Sequence, residues 1–282
     1  MKEYSFRDAL GAAPSLCYHE GMNLSYLLLS VAAFALLVWY LWWNRAARHV
    51  RAAYRAFRQG NEQATLAAFA LAEAGGGLNA DQTASFAYLA LKNGRTDEAG
   101  NVLGKALAHG RRGRALKELE RRLLETYRAL VLWKDGRLDE AVELLEGLLA
   151  QGYHTGTIYG NLGYLLVLQG DLGRAEEVCR EAADWDPEGK VILDNLASLY
   201  LEQERWAEAA EVYERLLKLE PKFPEAWHGA ARAALKTGDT AEAQRRWERA
   251  LELPFHALTT VEREAIEKAL AELELASRPS VP

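Results

Sequence analysis

Residues 156–189 read GTIYGNLGYLLVLQGDLGRAEEVCREAADWDPEG, and neighbouring segments of the chain are variants of this pattern. It has the pattern of two amphipathic helices joined by a turn at Gly170-Asp171. Ala175, Cys179 and Ala182 are spaced by four and then three residues, so they share one helical face. Small residues on that face predict that two helix backbones approach each other closely. A single hairpin of this size cannot bury the face alone, so further copies are expected beside it.

Variants of this stretch recur in the same register on both sides. The unit at 190–223 ends near Pro221, and in the unit at 224–257 the proline, Pro254, comes one place early. Towards the N-terminus the match weakens, and the unit at 80–121 has eight additional residues. The sequence predicts six helix hairpins, at 46–79, 80–121, 122–155, 156–189, 190–223 and 224–257.

This pattern resembles the tetratricopeptide repeat family, whose signature is a thirty-four-residue helix-turn-helix with small residues at the packing points and a closing proline. The resemblance implies an all-α fold, a right-handed α-solenoid of helix hairpins. It also implies that the first helix of each hairpin lines a concave surface, on which extended or helical peptides commonly lie.

Composition agrees with an all-helical chain. Half of the 282 residues are hydrophobic, alanine and leucine predominate, and β-branched runs are nearly absent. The net charge is −6, so no global basic field exists to hold nucleic acid. Nucleic acid is therefore not an expected partner.

One apolar segment precedes the repeats. Residues 24–43, LSYLLLSVAAFALLVWYLWW, contain no charge, glycine or proline. At about 1.5 Å per residue a helix of this length spans roughly 30 Å, the thickness of a hydrocarbon core. Trp39, Tyr40, Trp42 and Trp43 crowd its C-terminal end, as amphipathic rings do at a headgroup layer. The segment predicts a single transmembrane helix.

Basic residues predict the orientation of this helix, because positive charge is retained on the cytoplasmic side. Five arginines follow the segment and only Lys2 and Arg7 precede it. Those that follow are Arg45, Arg48, Arg51, Arg55 and Arg58. We expect residues 1–23 outside an inner or plasma membrane, the repeats in the cytoplasm, and Arg45, Arg48 and Arg51 at the membrane interface. Because no glycine or proline interrupts 24–59, the membrane helix should run straight into the first repeat.

The C-terminal region predicts an end to the stack. Thr259 with Glu262 makes a capping box for a last helix, and residues 258–276 are expected to cover the exposed end of the repeats. Residues 277–282 are predicted to be a frayed tail.

A search for chemistry is negative. The six histidines form no pair at metal-ligand spacing, and Cys17 and Cys179 are too few for a disulfide framework or a metal site. Residues 100–105 resemble a phosphate loop, but the spacing is one residue short. The sequence predicts no catalytic residue, metal, cofactor or small-molecule substrate, and Cys179 is expected to be a small buried residue.

Binding of protein is the better hypothesis, and the resemblance implies where it occurs. Position by position, the concave candidates for partner binding are Tyr88, Tyr127, Trp133, Asn161, Tyr164, Asp194, Asn195, His228, Arg232 and Lys236. Asn161 and Asn195 match an asparagine that recurs in the family. Its side-chain amide either pairs with a peptide backbone or makes a local structural hydrogen bond, and the sequence leaves both open.

The predicted function is a membrane-anchored scaffold or adaptor that helps assemble or regulate a membrane protein complex, with protein segments and membrane lipid as partners. A groove with aromatic walls and a cationic edge at Arg232 and Lys236 predicts a segment with apolar anchors. Gly160 and Asp194 stand where one subclass of the family has lysines that grip a C-terminal carboxylate, which argues against that recognition. The alternative is an extracytoplasmic anchored chaperone or assembly factor, of the cytochrome-maturation or envelope-biogenesis type.

Overall fold

The structure is a computed structural model that describes residues 20–75, 77–110 and 114–277, with the side chains of 20–25, 41–43, 276 and 277 left aside. Its regular elements are all helices, as predicted. They are α1 (Glu20–Trp43), α2 (Arg45–Arg58), α3 (Glu62–Ala74), α4 (Ala80–Lys92), α5 (Thr96–His109), α6 (Glu118–Lys134), α7 (Leu138–Ala150), α8 (Gly156–Gln169), α9 (Leu172–Trp185), α10 (Lys190–Glu202), α11 (Trp206–Lys218), α12 (Pro224–Lys236), α13 (Thr240–Leu251) and α14 (Arg263–Ser277).

Helices α2 to α13 form successive hairpins, each closed by a tight turn. The turn needs one residue in the left-handed region, and five of the six hairpins supply glycine there, since glycine has no Cβ to clash. In the turn between α10 and α11 the position is held by Glu204, with φ of 58°. The glycines are Gly60, Gly94, Gly136, Gly170 and Gly238.

Small residues permit close packing, as the sequence predicted. A Cβ added to Gly163 of α8 would lie 2.8 Å from the Sγ atom of Cys179 on α9. Cys179 is buried with 2 % exposure, and burial raises the pKa of its thiol to about 12. The cores of consecutive hairpins join into long apolar clusters, so each unit is stabilised by its neighbours.

Ion pairs on the second helices help to hold neighbouring hairpins in register. The Arg174 guanidinium of α9 pairs with Glu146 of α7 at 2.8 Å, and Arg205 pairs with Glu176 of α9 at 2.9 Å. These pairs are partly exposed, so apolar burial remains the main source of stability.

Helices α1 and α2 do not form one straight rod, which corrects the sequence prediction. The segments Tyr26–Tyr40 and Arg45–Arg58 meet at an angle of 48°. The break lies at Asn44, whose ψ of 8° is not helical and whose side-chain amide donates to the Tyr40 carbonyl at 3.0 Å. An asparagine that bonds its own preceding turn competes with the helix, and its effect needs neither glycine nor proline.

The first helix has an exposed apolar surface. From Tyr26 to Tyr40 its large hydrophobic side chains are 48–67 % exposed. Within the side chains that the structure describes, no single helix is both long and apolar enough to cross a membrane. Tyr26–Tyr40 and Arg45–Arg58 meet that length and composition only when the bent pair is taken together.

Helix α14 covers the last hairpin. Ile266 is fully buried beside Trp247 and Ala231, and the Arg263 guanidinium donates to the Leu251 carbonyl at 3.0 Å. The predicted capping box is wrong. The Thr259 hydroxyl instead accepts from the His256 N–H at 3.0 Å, because residues 256–259 fold into a turn of their own before the helix begins at Arg263.

Candidate functional site

The segment between α13 and α14, residues 253–262, crosses to distant repeats, and we call it the strap. The Ala257 N–H donates to the Lys92 carbonyl of α4 at 3.0 Å, and the Lys134 ammonium of α6 donates to the Ala257 carbonyl at 2.7 Å. The Thr260 N–H donates to a carboxylate oxygen of Glu225 on α12 at 2.8 Å. The strap therefore links the sixth hairpin to the second and third.

A tight turn shapes the strap. The Thr259 N–H donates to the His256 carbonyl at 2.8 Å, and the Leu258 N–H donates to His256 Nδ1 at 3.2 Å. Burial and then the Lys92 ammonium lower the pKa of His256, so its ring stays neutral and keeps Nδ1 free to accept. Leu258 packs against the core of the first three hairpins.

A cavity of about 260 Å³ lies between the strap and the first helices of hairpins two to six. We call this cavity and the helix surface around it the groove. Six of the ten predicted partner-binding residues line it, namely Tyr88, Trp133, Asn161, Tyr164, Asp194 and Asn195. The structure thus brings together on one surface residues that are up to 107 positions apart in the chain (195 − 88).

Two aromatic pairs form walls of the groove. The rings of Trp133 and Tyr164 meet edge to face at 5.4 Å, and those of Tyr88 and Tyr127 at 6.3 Å. Tyr127 is partly buried behind Tyr88 and does not line the cavity, and burial raises its pKa. Burial likewise raises the pKa of Tyr164 to about 12. These phenols remain neutral at physiological pH.

The two predicted asparagines have different environments. The Asn195 amide is buried and donates to the Gly160 carbonyl at 2.6 Å, so it ties α10 to α8 and the structural reading holds for it. The Nδ2 atom of Asn161 is fully buried with no hydrogen-bond partner among the described residues. The Oδ1 atom of Asp194 is likewise fully buried with no hydrogen-bond partner among the described residues. Burial, and to a lesser extent the nearby Glu225 carboxylate, raise the pKa of the Asp194 carboxyl to about 8.

The remaining three predicted residues lie elsewhere. His228, Arg232 and Lys236 line a separate cleft of about 500 Å³ against α14. His228 Nδ1 accepts from the Trp247 indole N–H at 3.1 Å, and Arg232 pairs with Glu202 at 3.2 Å. The Lys236 ammonium lies 5.0 Å from the centre of the Trp206 ring. All three side chains are already engaged, so they do not form a cationic edge to the groove.

The sequence did not identify the strap residues His256, Leu258 and Thr260, or Glu225, as part of the site. A signal was present, because the linker around Pro254 is longer than the links between the earlier hairpins. Its path depends on the curvature of the whole stack, which no local pattern encodes.

The predicted membrane-interface residues are only partly described. Trp39 and Tyr40 are 56 % and 58 % exposed, whereas the side chains of Trp42 and Trp43 lie outside the described residues. Arg45 turns back and donates to the Gly75 carbonyl at 3.2 Å. Arg48 and Arg51 are exposed on α2, and so is the neighbouring Phe57.

The described residues contain no cluster of three or more histidine, cysteine, aspartate or glutamate side chains that could hold a metal ion. The segment predicted to lie on the outer side of the membrane is residues 1–23, and residues 1–19 of it are not among the described residues. Residues 278–282 of the predicted tail are not among them either.

Comparisons with known proteins identify the repeats. Tetratricopeptide repeat models match residues 128–189 and 200–253, and no enzyme family matches. No curated protein matches the chain in sequence.

Solved structures share the fold. A tetratricopeptide repeat protein from Parabacteroides merdae is 16 % identical, with a TM-score of 0.64 over 82 % of this chain and 85 % of that one. A thermophilic repeat protein from Thermus thermophilus is 19 % identical, with a TM-score of 0.55 over 70 % and 99 %. A chain of the anaphase-promoting-complex hetero-tetramer Cut9–Hcn1 is 15 % identical, with a TM-score of 0.57 over 70 % and 36 %.

At these sequence identities the structural matches show only a shared fold, whereas the family models match the sequence pattern of the repeats. Together with the stacked hairpins, they show that residues 128–189 and 200–253 are tetratricopeptide repeats within an all-helical repeat fold.

Proposed function

We propose that this protein is a membrane-anchored scaffold whose groove binds an extended segment of a partner protein. The observation that carries the proposal is the strap itself. Both the N–H and the carbonyl of Ala257 are hydrogen-bonded to helices of the groove, so these helices bind the main chain of a segment that comes from outside their own hairpins. A partner segment could use the same kind of main-chain contact, and the aromatic walls offer anchoring surfaces.

The anchor is proposed from α1. Its apolar side chains from Tyr26 to Tyr40 are exposed along the helix, an arrangement that water disfavours and lipid does not. Exposed Arg48 and Arg51 follow directly, which supports repeats on the cytoplasmic side and contact with anionic headgroups. A scaffold held in this way would recruit proteins to a membrane complex.

A partner-binding role also agrees with one of the solved structures that share this fold. The Cut9 match comes from a hetero-tetramer, that is, from an assembly of this fold with another protein. We extend to this chain the general role of holding proteins together.

Site-specific photo-crosslinking in cells tests the groove. A photoreactive amino acid at Tyr88, which is 43 % exposed in the groove, should crosslink a partner. The same amino acid at Trp185, 54 % exposed at the end of a second helix, is the matched control and should not. The crosslink should disappear when Trp133→Ala and Tyr164→Ala are combined. Equal crosslinking from both positions, or no effect of the double substitution, would contradict the proposal.

A further inference from the structure

Acidic groups gather in one part of the groove without a matching base. Asp194 and Glu225 both line the cavity, and their charges act on each other. The lining contains no lysine or arginine, and burial together with the Lys92 ammonium lowers the pKa of its one histidine, His256. The Lys134 ammonium, which lies 4.8 Å from the centre of the Trp133 ring and donates to the Ala257 carbonyl, belongs to a residue outside this lining. Two carboxyl groups on neighbouring helices therefore share a cavity whose lining carries no ammonium or guanidinium group.

Two polar atoms at this place are left unsatisfied. Asp194 Oδ1 can accept and Asn161 Nδ2 can donate, yet both are fully enclosed without a hydrogen-bond partner among the described residues. Buried polar atoms in native proteins are almost always paired, so each unpaired atom calls for an explanation. A ligand group that donates to Asp194 would supply one.

The walls suit a cation with an apolar stem. Trp133, Tyr164 and Tyr88 present aromatic rings to the cavity, and such rings attract ammonium and guanidinium groups through their faces. The volume of about 260 Å³ is that of a single long side chain rather than of a folded element. The cavity lining offers an anion no positive partner, and a purely apolar chain would leave Asp194 Oδ1 unpaired.

We propose that this cavity takes a lysine or arginine side chain of the segment bound in the groove, with its stem against the aromatic wall of Trp133 and Tyr164 and its charge at Asp194. The inference rests on the proposed function of the groove and adds the chemical class of the anchor. It replaces the purely apolar anchor that the sequence predicts with a basic one.

Protonation of Asp194 should be linked to this binding. Asp194 faces Glu225 of α12 and Tyr213 of α11. The Tyr213 hydroxyl is hydrogen-bonded to the Ser198 hydroxyl, 2.9 Å away. Without a cation nearby, burial and Glu225 keep the pKa of Asp194 at about 8, so most of the carboxyl is protonated at pH 7. A bound cation favours the carboxylate, and binding should therefore release a proton and strengthen as pH rises.

The test uses the full chain in detergent micelles and two blocked heptapeptides, Ala-Leu-Ala-Lys-Ala-Leu-Ala and the same peptide with norleucine in place of lysine. Norleucine keeps the stem and removes the charge. We expect the lysine peptide to bind at least about tenfold more tightly by isothermal titration calorimetry. Asp194→Asn should abolish the preference, whereas Asp184→Asn, the same change on the exposed surface of α9, should leave it intact.

A second readout needs no variant. From pH 7 to pH 9 the ionised fraction of Asp194 rises about tenfold for a pKa of about 8, so affinity for the lysine peptide should rise by a similar factor while that for the norleucine peptide stays flat. If norleucine binds as tightly as lysine, or if the preference has no pH dependence, the basic anchor is wrong while the groove function stands. If neither peptide binds, both proposals fail.

Discussion

At the scale of single residues, Glu204 departs from its five counterparts. Its φ of 58° lies where the other hairpin turns have glycine, and left-handed backbone costs a residue with a Cβ roughly 1–2 kcal/mol. Glycine loses more conformational entropy on folding, which offsets part of the gain.

We therefore predict that Glu204→Gly raises the free energy of unfolding by roughly 0.5–1 kcal/mol. The matched change in the opposite direction, Gly136→Ala, should lower it by about 1 kcal/mol, since Gly136 has a φ of 78°. Urea titration followed by circular dichroism measures both. A lower stability for Glu204→Gly would show that the glutamate side chain contributes more than its backbone costs.

His228 makes stability depend on pH. Burial and then Arg232 lower its pKa to about 4, and its Nδ1 must be free to accept from the Trp247 indole. Because the unfolded chain binds this proton at the ordinary pKa near 6.5, stability is fully present above that value and is lost as pH falls towards 4.

We expect the wild-type protein to lose roughly 1–3 kcal/mol through this group between pH 7 and pH 4.5. In His228→Gln the amide oxygen can still accept from Trp247, but the site no longer titrates, so the loss should be smaller by that amount. Identical pH profiles for the two proteins would rule out a buried neutral histidine.

At the scale of elements, α1 decides whether the scaffold is anchored. Phe34 and Leu37 are 67 % and 52 % exposed, and placing charge at both positions should make lipid burial of the helix costly. We predict that Phe34→Asp with Leu37→Asp releases the protein from membranes on carbonate extraction. Leu119→Asp, at a residue that is 65 % exposed on α6, should leave it in the membrane fraction.

A reporter fused after Pro282 gives the orientation of this element. Activity on the cytoplasmic side supports the adaptor, and activity on the outer side supports the alternative of an extracytoplasmic assembly factor. Retention of the doubly charged variant in the membrane would show that α1 is not the anchor.

At the scale of the whole molecule, periodicity was enough to predict stacked hairpins, because spacing of small residues such as Ala175, Cys179 and Ala182 is a local property. The resemblance to the repeat family also implied six of the residues that line the groove cavity, since the first helices recur in register. The bend at Asn44 was missed because an asparagine can end a helical run without glycine or proline. The strap was missed because its contacts join residues as distant as Lys134 and Ala257, and only the assembled stack brings them together.

The strap lies on the same surface as the first helices of the second and third hairpins. A Cβ at Gly94 would lie 3.6 Å from the Cβ of Ala257, which is close to the separation in a disulfide. The most direct measurement is mass-spectrometric mapping of disulfides in Gly94→Cys/Ala257→Cys after mild oxidation. Gly136→Cys/Ala257→Cys is the matched control, because Gly136 has a similar positive φ and no neighbour within 4 Å. We predict a disulfide between 94 and 257 and none between 136 and 257. Its absence from the first pair, or equal yield in both, would contradict the account.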